Sequence, residues 1–291
     1  MSALLPLCYL NGAFLPLAEA RVSPLDRAFL FGDAVYEVIP VYGGRPFRLR
    51  EHLDRLNRSL AAIRMSAPRS HPEWGAICAQ LAAQSGGEES YIYLQVSRGA
   101  ELGRNHAWPD GLAPTLFAYA TALEPTPARL LDQGVAAVTA GETRWARRDI
   151  KSTALLANVL LKKLAVDAGA YETIMLENGE LTEGSSTTVH VITGGVIHTP
   201  PNGHHILPGT TRDVVTDLAV RLKLSCNTSP VQETALRSAE EIWLSFATRG
   251  VLPVTTLDGR PVGAGKPGPL FKRMHAAFGE YARELAGTPA L

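Results

Sequence analysis

The apolar positions of the chain switch between two periods, and the switches outline its elements. From Cys8 to Leu17 a strand, a turn at Asn11-Gly12 and a second strand are predicted. Residues 34–42 (AVYEVIPVY) are β-branched and aromatic, and Gly43-Gly44 closes them as a hairpin turn. Leu49, Leu53, Leu56, Leu60 and Ile63 then recur at helical spacing, so a helix is expected over 49–63. Two further strands follow, over 91–96 (YIYLQV) and 115–120.

The segment EPTPARLLDQ, between Leu123 and Gly134, carries two prolines and reads as a linker. Beyond it the pattern predicts strand 135–139, helix 153–168 and strand 172–177 with a hairpin turn at Asn178-Gly179. Strands 188–192 and 196–199, helix 210–222, strand 241–246 and a closing helix 269–285 complete the series. This is mixed α+β rather than regular βαβ alternation, which disfavours a dinucleotide-binding sheet, and neither GxGxxG nor a P-loop is present. The expected division is an N-terminal α/β domain over 1–121, a linker over 122–133 and a C-terminal domain over 134–291.

Composition narrows the class. The 291 residues are 46% hydrophobic and 19% charged, ample for a buried core. A formal net charge of zero gives no reason to expect nucleic acid or an anionic membrane as partner. No apolar run approaches the roughly 18 residues that would cross a bilayer. The apolar start MSALLPLCYLNGAFLPL lacks a basic leader and reads as strand and turn rather than signal peptide. Cys8, Cys78 and Cys226 are scattered without metal or redox spacing, so reduced thiols, no metal and a cytoplasmic setting are expected.

Lysine is scarce: there are six against 22 arginines, and the first is Lys151. Lys151 lies in RRDIKST, ahead of the expected helix. The like charges of Arg147 and Arg148 favour its neutral amine and Asp149 opposes them. Only the neutral amine attacks a carbonyl, so this setting suits Schiff-base chemistry; a solvated lysine is the plain alternative. Glu183, in LTEGSSTTVHV, precedes Gly184 and a run of hydroxyls at an expected turn; the alternative is an ordinary hairpin. In ILPGTTRD, Gly209 permits close backbone approach, and Thr210 and Thr211 open a helix whose amides suit a phosphate; a plain helix start is the alternative. Arg55 lies one position off the Leu53/Leu56 stripe, placed either to turn toward an anion or to face solvent. Arg104 and His106, on a loop bounded by glycine and proline, suit a carboxylate, and Arg98 is a weaker version of the same idea. Tyr36 and Glu37 adjoin within a strand, so they point to opposite faces; the pattern does not decide which one faces a pocket.

The ordered set FGDAVYEV (31–38), EHLDRL (51–56), YLQVSRG (93–99), RNH (104–106), RWARRDIKSTALLANVL (144–160), ENGELTEGSSTTVHV (177–191), ILPGTTRDVV (206–215) and LPVTTLDGRPV (252–262) resembles the fold-type IV aminotransferases that use pyridoxal 5′-phosphate. Within that superfamily, which includes branched-chain aminotransferases and aminodeoxychorismate lyases, it is most similar to D-amino-acid transaminases. The resemblance implies an N-terminal α/β domain and a C-terminal α/β pseudo-barrel, with the cofactor at the domain interface of a homodimer. It implies that Lys151 carries the cofactor as a Schiff base and moves the substrate α-proton, and that Glu183 pairs with the pyridine nitrogen. Arg55, Gly209, Thr210 and Thr211 are implied to hold the phosphate, Leu207 to support the ring, and Ser185 and Ser186 to line the site. Arg144 is implied more weakly, near the phenolate side. Tyr36, Arg104 and His106 are implied to bind the substrate carboxylate, the last two from the partner subunit.

The activity so implied is ping-pong transfer of an amino group from a D-amino acid such as D-alanine to 2-oxoglutarate. A branched-chain L-amino-acid or (R)-amine transaminase and 4-amino-4-deoxychorismate lyase are the alternatives. Two departures from the family pattern are visible. The loop from Gly99 to Arg104 is about one residue longer than in the D-specific pattern, and Phe246-Ala247 stand where hydroxyl residues usually contact the phosphate, leaving the Ala247 amide and the Thr248 hydroxyl for that task.

Overall fold

The computed structural model describes residues 4–84 and 89–287. The chain divides into two units. The first comprises residues 1–124, to which the segments 150–155 and 282–291 also belong; the second comprises 125–149 and 156–281.

In the first unit, β1 (Leu4–Leu10) and β2 (Ala13–Pro16) form the expected hairpin through Asn11-Gly12. After the short helix α1 (Arg27–Phe31) come β3 (Ala34–Tyr42), β4 (Arg45–Pro46), α2 (Leu49–Ala62), α3 (His71–Ala83), β5 (Ser90–Ser97) and β6 (Thr115–Ala122). The strands make one sheet in the order β2-β1-β6-β5-β3-β4, with antiparallel neighbours throughout. Alternation sends Val35, Ile39, Ile92, Leu94 and Ala118 into a core that Leu53, Leu56 and Leu60 of α2 and Trp74, Cys78 and Leu81 of α3 also fill. Helix α3 has no counterpart in the elements expected from periodicity. Its start is nevertheless written in the chain: Ser70 and Glu73 cap each other reciprocally, and a proline follows the cap.

The second unit contains α4 (Ala128–Asp132), β7 (Val135–Gly141), α5 (Leu156–Asp167), β8 (Glu172–Glu177), β9 (Glu180–Gly184), β10 (Thr188–Thr193), β11 (Val196–Thr199) and α6 (Thr210–Arg221). Then follow β12 (Cys226–Thr228), α7 (Glu233–Arg237), β13 (Glu241–Phe246), β14 (Gly250–Leu257) and β15 (Arg260–Pro261), and α8 (Pro269–Gly287) closes the chain. Its nine-stranded mixed sheet runs β12-β11-β10-β13-β14-β7-β8-β9, with β15 beside β14. β14, β7 and β8 are parallel neighbours. The apolar runs of β8 and β14 are buried on both faces, which is why they lack clean alternation.

Two expectations shift. Residues 123–134 are not wholly irregular: α4 forms there, and Leu130 and Leu131 pack on the core of the second unit. The helix expected from Thr153 begins at Leu156, because the backbone of Ser152 and Thr153 is spent on β3. No helix among the described residues is long and apolar enough to cross a membrane. The three cysteines are free, and no cluster of three metal-ligating side chains occurs among the described residues.

Candidate functional site

Lys151 is placed by strand pairing rather than by a helix start. The Tyr36 amide donates to its carbonyl at 2.9 Å, Val35 and Ser152 form an antiparallel bridge, and the Thr153 amide donates to the Ala34 carbonyl at 3.0 Å. Residues 151–153 thus run as an extra rung along β3. From α2, the Ser59 hydroxyl accepts from the Lys151 amide at 3.2 Å. The close approach depends on Gly32, which ends α1 at φ +67°: a Cβ there would lie 3.1 Å from Ala154 Cα and Cβ. The half-buried Lys151 side chain lays its Nζ 4.2 Å from the centroid of the Tyr36 ring.

The question of Tyr36 against Glu37 is thereby resolved. Tyr36 stands on the face of the sheet away from α2, stacked on Tyr93 at 5.5 Å and beside the lysine. Tyr93, Tyr119 and Phe117 extend this aromatic face. Glu37 points the other way and is wholly buried. Arg55 grips it with a bidentate fork, Nε to Oε1 at 2.7 Å and Nη2 to Oε2 at 2.7 Å, and His52 Nδ1 lies 2.7 Å from Oε2. Burial pushes the Glu37 carboxyl up, but the Arg55 charge and both neighbours' hydrogen bonds outweigh it and hold the carboxyl down at about 2. Burial lowers the His52 imidazole, with Glu37 opposing. Arg55 does turn inward from the α2 stripe, as its offset suggested, and the anion it meets there is Glu37.

Arg104 and His106 lie exposed on the loop between β5 and β6. They converge on one ring: the Arg104 guanidinium sits 4.8 Å from the Phe31 centroid, and the His106 ring lies 5.5 Å from the same centroid. Arg98 is committed elsewhere, to Asp33 at 2.8 and 3.0 Å and to the Ile63 carbonyl at 2.7 Å.

In the second unit, Glu183 is a strand residue near the end of β9, not a turn residue. It is buried. Arg144 Nη1 donates to its Oε1 at 2.7 Å and the Leu207 amide to its Oε2 at 3.1 Å. Burial raises the Glu183 carboxyl, and Arg144 works against that rise. Arg144 is itself anchored by Glu142 at 2.9 and 2.6 Å. Leu207, half-buried, therefore acts on Glu183 through its backbone. Arg147 and Arg148, expected to bear on Lys151, are paired with Asp149 and Glu177.

Ser185 and Ser186, expected to line a cofactor, have a carboxylate partner within the second unit. Both hydroxyls turn to Glu172, Ser186 at 3.1 Å, joined by Thr187 at 3.1 Å and by the Thr173 amide at 2.9 Å. The reason is physical: Glu172 is fully buried, and a carboxylate removed from water requires donors. Gly209 is the N-cap of α6 and supplies no side-chain cap; Thr210 and Thr211 follow it, buried. A Cβ on Gly209 would lie 2.7 Å from Thr188 Oγ1, so the residue is glycine for space. Ala247 and Thr248 lie on the turn joining β13 to β14, while Phe246 packs toward Tyr171 in the core.

The first unit offers a primary amine against a tyrosine face; the second offers a buried carboxylate already holding two donors and a twelve-residue helix whose first amides lack a side-chain cap. That chemistry fits a pyridine aldehyde phosphate: an amine for the aldehyde, a carboxylate for the ring nitrogen, a helix N-terminus for the phosphate. Three features escaped the sequence reading: the partners of Glu37, the Arg144–Glu142 anchor, and Glu172. Only the first had a local signal, an acidic residue on the apolar-facing side of a strand.

The family model of amino-transferase class IV matches residues 34–257. The chain is 38% identical to the D-alanine aminotransferase of Bacillus licheniformis over 268 residues, 92% of this chain and 94% of that one. Among solved structures, a branched-chain amino acid aminotransferase of Escherichia coli superposes with a TM-score of 0.89 at 27% identity, covering 96% of this chain and 94% of its own. The branched-chain amino acid aminotransferase of Thermoproteus uzoniensis with norvaline, at 24% identity, shares the fold with a TM-score of 0.83, covering 98% and 95%. With the amine, the buried carboxylate and the helix start all inside the matched span, the chain belongs to the class IV aminotransferases, of fold type IV.

Proposed function

We propose that this protein is a pyridoxal-phosphate-dependent D-amino-acid transaminase that moves the amino group of a D-amino acid such as D-alanine to 2-oxoglutarate in two half-reactions. The observation that carries the reading is the 38% identity to a D-alanine aminotransferase across 92% of the chain.

The cofactor, when bound, acts as an electron sink for the bond broken at the substrate α-carbon. The chain's own residues do the rest. Lys151 Nζ would be the amine that holds the cofactor's aldehyde group and, once displaced by the incoming amino group, the base that takes the proton from the substrate α-carbon and returns it. The Tyr36 ring beneath Nζ fixes the direction of that amine. Glu183, held by Arg144 and the Leu207 amide, would be the carboxylate that pairs with the ring nitrogen. The N-terminus of α6, with Gly209, Thr210 and Thr211, receives the phosphate, and the Ala247 amide and Thr248 hydroxyl add to it. Arg55 would add its charge to the phosphate, with Glu37 holding its guanidinium in place. Ser185 and Ser186 act by bracing the turn after Glu183.

Arg104 and His106 bind the substrate carboxylate from the second copy of a homodimer. Helix α5 supports the dimer: Leu156, Val159, Leu160 and Leu164 lie exposed along it at 73%, 61%, 62% and 46%, an apolar stripe that a second copy would cover. Transamination by the purified protein from D-alanine, L-leucine and (R)-1-phenylethylamine tests the assignment. Turnover is expected with D-alanine; turnover of L-leucine without D-alanine would overturn it.

A further inference from the structure

Arg27 is a buried cation that the proposed mechanism does not use. It is 3% exposed, at the start of α1. Its Nε donates to Asp33 at 2.8 Å, Nη1 donates to the Asn105 carbonyl at 2.7 Å and to the Glu101 carboxylate, and Nη2 donates to the His106 carbonyl at 3.2 Å. Its guanidinium lies 4.6 Å from the Phe31 centroid, the ring on which Arg104 and His106 also rest. The other end of the loop is tied to the same element, since the Arg27 amide donates to the Gly99 carbonyl at 2.8 Å and Asp26 bridges Ala100.

The loop bearing Arg104 and His106 is therefore held at both ends and from below by residues 26–33. Charge balances in the cluster: Arg27 and Arg98 face Asp33 and Glu101. Glu101 sits within the stretch that is one residue longer than the family pattern, and its side chain, 10% exposed, is turned in to Arg27 while Leu102, Gly103 and Arg104 stay out.

We propose that Arg27 and Glu101 are positioning residues that set the direction in which Arg104 and His106 are offered to the substrate carboxylate. This rests on the reading of those two residues as the carboxylate site. A guanidinium fork on the Asn105 and His106 carbonyls pins the backbone from which the Arg104 and His106 side chains leave, so that part of the ordering entropy is spent in folding rather than in substrate binding. Glu101 ties this loop to the arginine that lies over Phe31.

Arg27 also holds the core of this cluster, so Glu101 carries the test. Glu101→Ala is expected to raise the KM for D-alanine about tenfold with kcat within about twofold, and to speed amide exchange over residues 100–107 at least about tenfold. Glu101→Gln keeps an acceptor for Arg27 and should stay within about threefold of wild type in both. The double variant Glu101→Ala/Arg104→Ala should raise KM over Arg104→Ala alone by less than Glu101→Ala raises it over wild type, because only His106 is left to position. If Arg104→Ala raises KM while Glu101→Ala changes neither KM nor exchange, the positioning role is wrong and the carboxylate reading stands. If Arg104→Ala leaves KM unchanged, the carboxylate reading fails and this proposal with it. A Glu101→Gln chain as impaired as Glu101→Ala, with wild-type exchange, would also overturn it.

Discussion

Two carboxylates show how burial alone does not set a group's behaviour. Glu37 and Glu183 are both buried, yet Glu37 is held at about 2 by a bidentate arginine and Glu183 is raised, with one guanidinium nitrogen and one amide against it. An unperturbed glutamate titrates near about 4.3, so the Glu37 contribution to stability is present above that pH and lost as pH falls through about 2. Glu37→Gln should cost about 3 kcal/mol at neutral pH, since it leaves the buried Arg55 charge uncompensated. Urea unfolding at a series of pH values should show wild type losing stability faster than this variant between about 4.3 and 2. Parallel pH dependences would remove Glu37 as the cause. Lys151→Ala should lower turnover by at least about a thousandfold and shift the visible absorbance of the cofactor-loaded enzyme to that of the free aldehyde. Near-normal turnover would refute the assignment of Lys151. At this scale the chain was partly legible. Scarcity of lysine drew attention to Lys151, but the partners of Arg55, Ser185 and Ser186 are buried carboxylates 18, 13 and 14 residues away, and no local pattern names them.

Elements place these side chains through their ends and edges. β3 does double work, sending Glu37 into the α2 face and Tyr36 to the opposite one, and lending its backbone to residues 151–153. α6 is proposed to contribute through its first turn. Gly209→Ala would bring a methyl to 2.7 Å from Thr188 Oγ1 and 3.2 Å from Arg212 Cβ at the mouth of that turn. The expected result is an intact fold with cofactor affinity weakened about tenfold, read by absorbance titration of the apo-protein. Unaltered affinity would take α6 out of the phosphate site. Strands β3 and β13 were read to the residue from β-branched and aromatic runs, and α2 to within one residue from its stripe. The false start at Thr153 has a tertiary cause: a segment with helical composition was captured by the edge of a strand far away in the chain.

At the scale of the whole molecule, the class IV assignment and the exposed stripe of α5 lead to two experiments. Lys151→Ala chains lack the amine and Arg104→Ala chains lack the carboxylate arginine. If Arg104 serves the partner's site, a mixed dimer of the two has one intact site. Mixing equal amounts through unfolding and refolding should restore about a quarter of wild-type activity at low D-alanine, because half of the dimers are mixed and each has one working site of two. No recovery above the separate variants would place Arg104 in its own subunit's site or outside any site. Leu160→Glu, a charge on the α5 stripe, should shift the protein to monomer in sedimentation and reduce activity together.

The amino-acid sequence by itself determined the alternation of elements, the class to which the chain belongs and the residue types of the chemistry, because periodicity and short motifs are local properties. The tertiary structure alone decided what each charged group faces: Arg55 meets Glu37, Ser185 meets Glu172, and Arg27 ties down the loop of Arg104. The physical reason is that a buried charge must find a partner, and the nearest partner in space is set by how sheets and helices pack, not by distance along the chain.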